Sequence, residues 1–341
     1  MGGLTYLRMV RSLDATLSIH ESCHMTSRSL GRVLVTGGAG FIGSNIVRLL
    51  ARETKATIVV LDNLSSGHRE NLDAQPVTFR QGDVRDAAAV REAIAGCDTV
   101  FHLAASVGNT RSIDDPIQDS QINVLGTLNV LEAARHGGVQ KVVYSSSAGI
   151  FGELKTLPIR EDHPIEPDTP YGASKLCGEK LCLSYAKLYP MDCVCLRYFN
   201  VYGVHQRYDA YGNVIPIFAH RLLHGEPITI YGDGEQTRDF VNVGDVARAN
   251  MKAAQAGGVS GAFNIASGTR ITINRLAQLM RSASGLNGVV RHGPPRKGDV
   301  RDSLADVSAA RAAFGYAPSV DLEPGLHEYM TWARTALVAA D

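Results

Sequence analysis

Tyr171 and Lys175 stand four residues apart in a stretch with helical rhythm, a spacing that sets both side chains on one helix face. An ammonium beside a phenol favours its ionised form, and a phenol tuned that way serves as a general base. The same pair also occurs on ordinary amphipathic helices, with a half-buried Tyr and a solvated Lys. The rest of the chain decides between the two.

Upstream, the apolar run Val33-Leu34-Val35 leads into Gly37-Gly38-Ala39-Gly40-Phe41-Ile42-Gly43, and Ser44 to Ala51 then follow a helical period. This is strand, tight turn, helix. Gly37, Gly40 and Gly43 allow the sharp turn, the close approach to a pyrophosphate and the tight packing of helix on strand, while Phe41 and Ile42 open the helix. The helix N-terminus then faces phosphate. Nineteen residues past Gly43 a second run, Ile58-Val59-Val60-Leu61, ends in Asp62 followed by Asn63. An acid there accepts from a ribose 2′-hydroxyl and repels a 2′-phosphate, so NAD is expected over NADP; alternatively Asp62 is a turn-forming acid before Asn63.

The elements that must position these groups continue in alternation. A strand is predicted over 77–80, a helix to 95, a strand over 99–103, a long helix to 135 and a strand over 142–144, which is an α/β, Rossmann-type doubly wound parallel sheet. Ligands in such sheets sit at strand ends. Asp83 and Val84 are thus expected at the adenine, and the small pair Ala104-Ala105 lets the cofactor pass close to the sheet.

The chain has 341 residues, enough for two unequal lobes: a NAD-binding core over 31–199 and a smaller, mainly C-terminal α/β lobe over 200–341, with about 238–265 returning to the core. Residues 1–30 read as a flexible leader without the apolar core of a secretory signal, and Met25 offers an alternative start. Thirty-four basic residues balance 34 acidic ones, which gives no sign of a nucleic-acid or membrane partner and points to a small molecule. Six scattered cysteines without CxxC or zinc-ligand spacing fit reduced thiols in a cytoplasmic protein, with no metal expected.

Taken together, Thr36 to Gly43, Leu61 to Gly67, His102 to Ala105, Ser145-Ser146-Ser147, Tyr171 to Lys175, Arg197-Tyr198-Phe199-Asn200, Tyr231 to Phe240 and Gly298 to Arg301 resemble the extended short-chain dehydrogenase/reductases, in their nucleotide-sugar epimerase and dehydratase branch. The resemblance runs from residue 32 to about 335. It implies a triad of Ser147, Tyr171 and Lys175, with Ser147 on the sugar O4, Tyr171 moving its proton and Lys175 on the nicotinamide ribose. Asn123 is implied as a support acting through solvent. Ser145 and Ser146 are carried over as substrate contacts, Asn200 and Arg238 as diphosphate ligands, and Arg296 with Asp299 as the grip on uridine ribose and phosphate. Ser303 borders the sugar, where a small residue admits a larger 2-substituent. Arg207 falls where UDP-glucuronate 4-epimerases carry an Arg toward the C6 carboxylate, although solvent exposure fits it equally.

Related dehydratases and decarboxylases place a Glu two residues after the serine; here that position is Gly149, after Ala148, and neither moves a proton. The expectation is therefore NAD-dependent C4 epimerisation of a UDP-sugar, with UDP-glucuronate favoured over UDP-glucose or UDP-N-acetylglucosamine. Dehydratase, decarboxylase, reductase, non-catalytic NAD-binding module and scaffold are the alternatives. The resemblance further implies a homodimer formed by the long helix ending near Arg135 and the helix bearing Tyr171.

Overall fold

Four short β-branched or apolar runs, at Val33–Val35, Ile58–Leu61, Val142–Tyr144 and Cys193–Leu196, have no polar alternation and so must be covered on both faces, as strands of a parallel sheet are. In the computed structural model, which describes residues 28–209, 212–295 and 300–338, every one of them is a buried central strand. The first half alternates β1 (Arg32–Thr36), α1 (Phe41–Glu53), β2 (Thr57–Asp62), β3 (Val77–Gln81), α2 (Ala87–Ile94) and β4 (Thr99–His102). It continues through α3 (Asn109–Asp114), α4 (Pro116–Ser120), a π-helical turn over Gln121–Leu125, α5 (Gly126–Gly137), β5 (Lys141–Ser147), α6 (Pro170–Leu188) and β6 (Asp192–Tyr198).

The sheet order is β3-β2-β1-β4-β5-β6, all parallel, with a seventh strand beyond β6. The order reverses between β1 and β4, and the crevice outside their carboxyl ends is where a doubly wound sheet binds its ligand. Two apolar layers enclose the sheet: Ile46, Leu50 and Phe101 belong to one, Val90, Val130 and Leu131 to the other. Each such fully buried side chain contributes roughly 1.5–3 kcal/mol relative to its exposed state.

The remaining elements are β7 (Asn200–Tyr202), α7 (Val214–Leu223), β8 (Ile228–Tyr231), β9 (Thr237–Arg238), β10 (Phe240–Asn242), α8 (Val243–Gln255), β11 (Gly261–Ile265), β12 (Ile271–Thr272), α9 (Ile273–Ser284), β13 (Val290–Gly293), α10 (Ser308–Phe314) and α11 (Leu322–Val338). β11 is the seventh strand of the main sheet, paired with β6, and α8 packs on α1. Around α7, α9 and α11 a separate apolar cluster includes Phe218, Leu276, Met280 and Tyr329. Three two-stranded pairs form here, β7 with β10, β9 with β12 and β8 with β13, and Asn200 on β7 and Arg238 on β9 line the crevice.

The N-terminal boundary needs correction. The Arg28 amide donates to the Gln255 carbonyl at 3.0 Å, Thr99 Oγ1 donates to Leu30 O at 3.4 Å and Leu30 is buried, so residues 28–30 belong to the packed body and not to a leader. The rest of that stretch, 1–27, lies outside the described residues, as do Arg296 and Asp299. Among the described residues no helix is long and apolar enough to cross a membrane.

Candidate active site

One cleft of about 1180 Å³ runs along the carboxyl ends of the strands, a volume above the usual small-molecule range and suited to a dinucleotide together with a second ligand. Gly37, with φ +66°, turns the chain out of β1, and its amide donates to Leu61 O at 2.9 Å. A Cβ on Gly37 would stand 2.7 Å from the Ala104 amide nitrogen, and one on Gly43 would stand 2.1 Å from Gly37 O. Only glycine closes this turn. Gly40 caps α1 without any side-chain bond, and no acid sits in the first turn, so the opening amides of Phe41 and Ile42 are left for an anion.

At the end of β2, Asp62 accepts the Ala39 amide at 2.9 Å and the Leu64 amide at 2.8 Å, which fixes its carboxylate at the cleft wall beneath Gly67. Asn63 donates to Asp83 at 2.8 Å, and Arg85 clasps the same carboxylate with two bonds. The Arg85 contacts hold the Asp83 pKa well below the usual carboxylate range, so the charge of Asp83 is already matched. Val84 packs beside it, and Asn129 secures the loop by donating to Val84 O at 2.9 Å. Ala104 and Ala105 follow β4 along the cleft floor. A cradle that any Cβ would fill, free helix amides and a carboxylate at the second strand fit a dinucleotide with a free 2′-hydroxyl.

α6 begins where the local sequence dictates: Thr169 caps by accepting the Gly172 amide at 3.2 Å, and Pro170 takes the first turn, where its missing N–H costs nothing. Its face carries Tyr171 to the cleft and Lys175, 2% exposed, beneath it. Lys175 Nζ lies over the Tyr144 ring, 4.5 Å from its centroid, and burial draws its pKa down to about 8. Burial likewise raises the Tyr171 phenol, Ser147 pulls it back, and Asp119 raises it further. This Tyr is a protonated acid until more positive charge arrives.

Ser147 ends β5, accepts the Gly149 amide at 3.1 Å and faces the cleft together with Ser145. Ser146 is a different case. Strand alternation turns its hydroxyl toward Glu179, to which it donates at 2.8 Å, while the residue still lines the cleft. Glu179 accepts Arg197 Nε at 3.0 Å and Nη2 at 2.8 Å, and this fully buried ion pair underlies the serine strand.

Asn123, in the π-helical turn, holds Ser106 through both its amide ends and donates to Ser174 and Asp119 at 3.0 Å each. Asn123 is thus tied directly to α6 through Ser174. Another chain, missed in the sequence, joins the glycine turn to this helix: Thr36 Oγ1 to His102 Nδ1 at 2.7 Å, His102 Nε2 to Thr127 at 3.0 Å, and Thr127 to Asn123 O at 2.6 Å. Thr36 already accepts two amides, and Thr127 gives its proton to Asn123 O. His102 therefore carries its proton on Nε2, and burial lowers its pKa to about 3, keeping it neutral.

From the C-terminal part of the chain, Asn200, Arg238 and Ser303 reach the cleft; Asn200 Nδ2 donates to Asp239 O at 3.1 Å, and Ser303 is buried. Arg207 also lines the cleft, but its guanidinium is engaged by Glu70 at 2.6 Å, on the cofactor side. The neighbouring His205, at φ +70°, bonds Ser44 at 2.8 Å and fixes this loop to α1.

The model of the NAD dependent epimerase/dehydratase family matches residues 33–266. The chain belongs to that family, and NAD is its cofactor. It is 38% identical over 304 residues to the putative UDP-glucose 4-epimerase of Methanocaldococcus jannaschii, covering 89% of this chain and 98% of that one. Among solved structures it is similar to the UDP-glucose 4-epimerase of Thermotoga maritima with UDP-glucose, at a TM-score of 0.85 and 38% identity over 90% of this chain and 99% of that one. The UDP-N-acetylglucosamine 4-epimerase of Methanobrevibacter ruminantium, in complex with UDP-N-acetylmuramic acid, gives a TM-score of 0.86 at 35% identity over 92% and 100%. Family members named dTDP-glucose 4,6-dehydratase also resemble it.

Proposed function

We propose that this protein is a UDP-sugar 4-epimerase that inverts C4 by removing a hydride from the carbon and a proton from O4, then returning the hydride to the opposite face of C4 and the proton to the oxygen. The observation that carries this reading is Gly149: a Cβ there would lie 3.4 Å from Ser147 Oγ and 3.7 Å from the Tyr171 ring. A side chain at that position would reach into the reacting centre, and this chain puts none there. Dehydration and decarboxylation call for a further acid or base, whereas oxidation and return do not.

Bound NAD supplies the hydride acceptor at the sugar carbon and then the donor. Tyr171 takes the O4 proton and gives it back, Ser147 holds the same oxygen in line, and Lys175 keeps positive charge below. Asp62 and the amides that open α1 hold the dinucleotide, while Asn200 and Arg238 serve the sugar-nucleotide diphosphate, joined by Arg296 and Asp299 on its uridine side. Arg suits such bidentate anion contacts.

Among sugars, a neutral UDP-hexose fits better than UDP-glucuronate, because Glu70 already neutralises Arg207. The hexuronate is the second reading, and Arg207 at the cleft wall favours it. Exposed Ile113, Ile117 and Leu125 near the π turn, with Leu188 at the end of α6, support a homodimer through these helices. The test is to offer UDP-glucose, UDP-N-acetylglucosamine and UDP-glucuronate separately, without added nicotinamide, and to chromatograph the products. A C4 diastereomer from a neutral sugar is expected; a 4-keto-6-deoxy product, or no product without reduced nicotinamide, contradicts the proposal.

A further inference from the structure

Asp119 lies within the candidate site without any role in the chemistry described above. It is 1% exposed, at the end of α4 where the helix passes into the π turn. Its Oδ1 accepts Asn123 Nδ2 at 3.0 Å, and its Oδ2 is buried with no hydrogen-bond partner among the described residues. A buried carboxylate oxygen left bare is unfavourable unless charge nearby repays it.

The charge available is that of Lys175, whose ammonium makes no hydrogen bond among the described residues beyond its place over the Tyr144 ring. The other titratable groups facing this pair are neutral or already matched. His102, at the end of β4, is held neutral by burial, and on β5 and β6 burial keeps Tyr144 and Cys195 protonated. On α6, Cys182 is a buried thiol and Glu179 is spent on Arg197. On α3 and at its junction with α4, Arg111 is paired with Asp209, and Asp114 and Asp115 are exposed. Asp119 is thus left as the counter-charge.

We propose that Asp119 is a charge-setting and positioning residue of the catalytic centre: its ionised carboxylate holds Lys175 as an ammonium and, through Asn123 and Ser174, fixes the turn of α6 that presents Tyr171. The positioning path is direct: Asn123 donates to Ser174 Oγ at 3.0 Å and Ser174 donates to Tyr171 O at 3.0 Å. Electrostatics runs the same way: the negative charge raises the proton affinity of both Lys175 and Tyr171. The protein would thereby trade ready ionisation of the phenol for a charged lysine, the phenolate that does form being the stronger base toward the O4 proton.

The proposal deepens the assignment of Tyr171 and Lys175 as the proton-handling pair. Its test is Asp119→Asn, which keeps the volume and the oxygen facing Asn123, beside Asp119→Glu, which restores the charge. Two readouts are taken: the pH profile of turnover, and tyrosinate absorbance against pH, corrected with Tyr171→Phe. Asn is expected to move both limbs of the profile and the Tyr171 titration to lower pH by about one unit, the order of one charge lost at mid-range through an effective dielectric near 20. Glu should return them toward wild type. Unmoved limbs with reduced turnover, or an Asn variant that does not fold, would overturn the proposal and leave Asp119 as a packing residue. Because the absorbance reports Tyr171 without any sugar, failure here is distinct from failure of the epimerase assignment, which an active Tyr171→Phe enzyme would reveal.

Discussion

Glu179→Leu is expected to be among the most damaging single changes outside the cleft. Its carboxylate accepts Arg197 Nε at 3.0 Å, Arg197 Nη2 at 2.8 Å and Ser146 Oγ at 2.8 Å, and both ionic side chains are essentially inaccessible. Removing the acid strands a guanidinium whose only other polar contact among the described residues is Glu161 O at 2.9 Å. Breaking such a pair costs ~3–5 kcal/mol, a large share of the 5–15 kcal/mol that typically holds a protein folded. Replacing both partners, Glu179→Leu with Arg197→Met, removes the uncompensated charge and should recover most of the loss, leaving about 1 kcal/mol for the unpartnered carbonyl and the Ser146 hydroxyl. Urea unfolding of the two single variants, the double variant and wild type closes the cycle, with an expected coupling of roughly 2 kcal/mol or more. A single variant that loses less than about 1 kcal/mol, or a double variant as unstable as the sum of the singles, would refute this account of the pair.

Two further outcomes follow from the same geometry. Gly43→Ala puts a Cβ 2.1 Å from Gly37 O and 2.8 Å from Gly38 Cα, both backbone atoms that no rotamer relieves, so the purified protein should lose bound NAD and the thermal stabilisation that added NAD gives. Lys141 is buried, donates to Ala256 O at 2.8 Å and Val259 O at 2.7 Å, and burial lowers its pKa to about 8 from 10.5. Its folded pKa is the lower one, so the stability linked to it is present above pH 10.5 and is lost as pH falls through about 8. Wild-type stability relative to Lys141→Met should therefore rise by up to about 3 kcal/mol between those limits, measured by urea unfolding at each pH.

The glycine turn and the strand-terminal residues of the cofactor half were legible because each depends on local backbone physics: a positive φ at Gly37, a clash at Gly43, a carboxylate at the end of a continuous apolar run. The buried bond from Ser146 to Glu179 was legible in principle, since alternation along β5 turns its hydroxyl away from those of Ser145 and Ser147. Contacts across sequence were not legible. Glu70 and Arg207 lie 137 residues apart, and no periodicity joins them. Asp119 and Ser174 meet at Asn123 only because the π turn adds a residue to the helix. Lys175 illustrates the limit of spacing arguments: i and i+4 placed it on the same face as Tyr171, while the space beside Tyr144 decided where the ammonium went. The boundary at residue 30 failed for a similar reason, because the Arg28 and Leu30 contacts join residues 69 or more positions apart, which composition does not encode.

The central claim is that one phenol takes and returns the O4 proton while hydride leaves and comes back at the same carbon. Tyr171→Phe removes the hydroxyl alone, and the direct measurement is its rate of UDP-glucose to UDP-galactose interconversion without added nicotinamide, beside its bound NAD content. The account predicts NAD retention at the wild-type level with turnover reduced roughly 10²–10⁴-fold, the usual contribution of a positioned acid/base. Turnover close to wild type with NAD bound would contradict it.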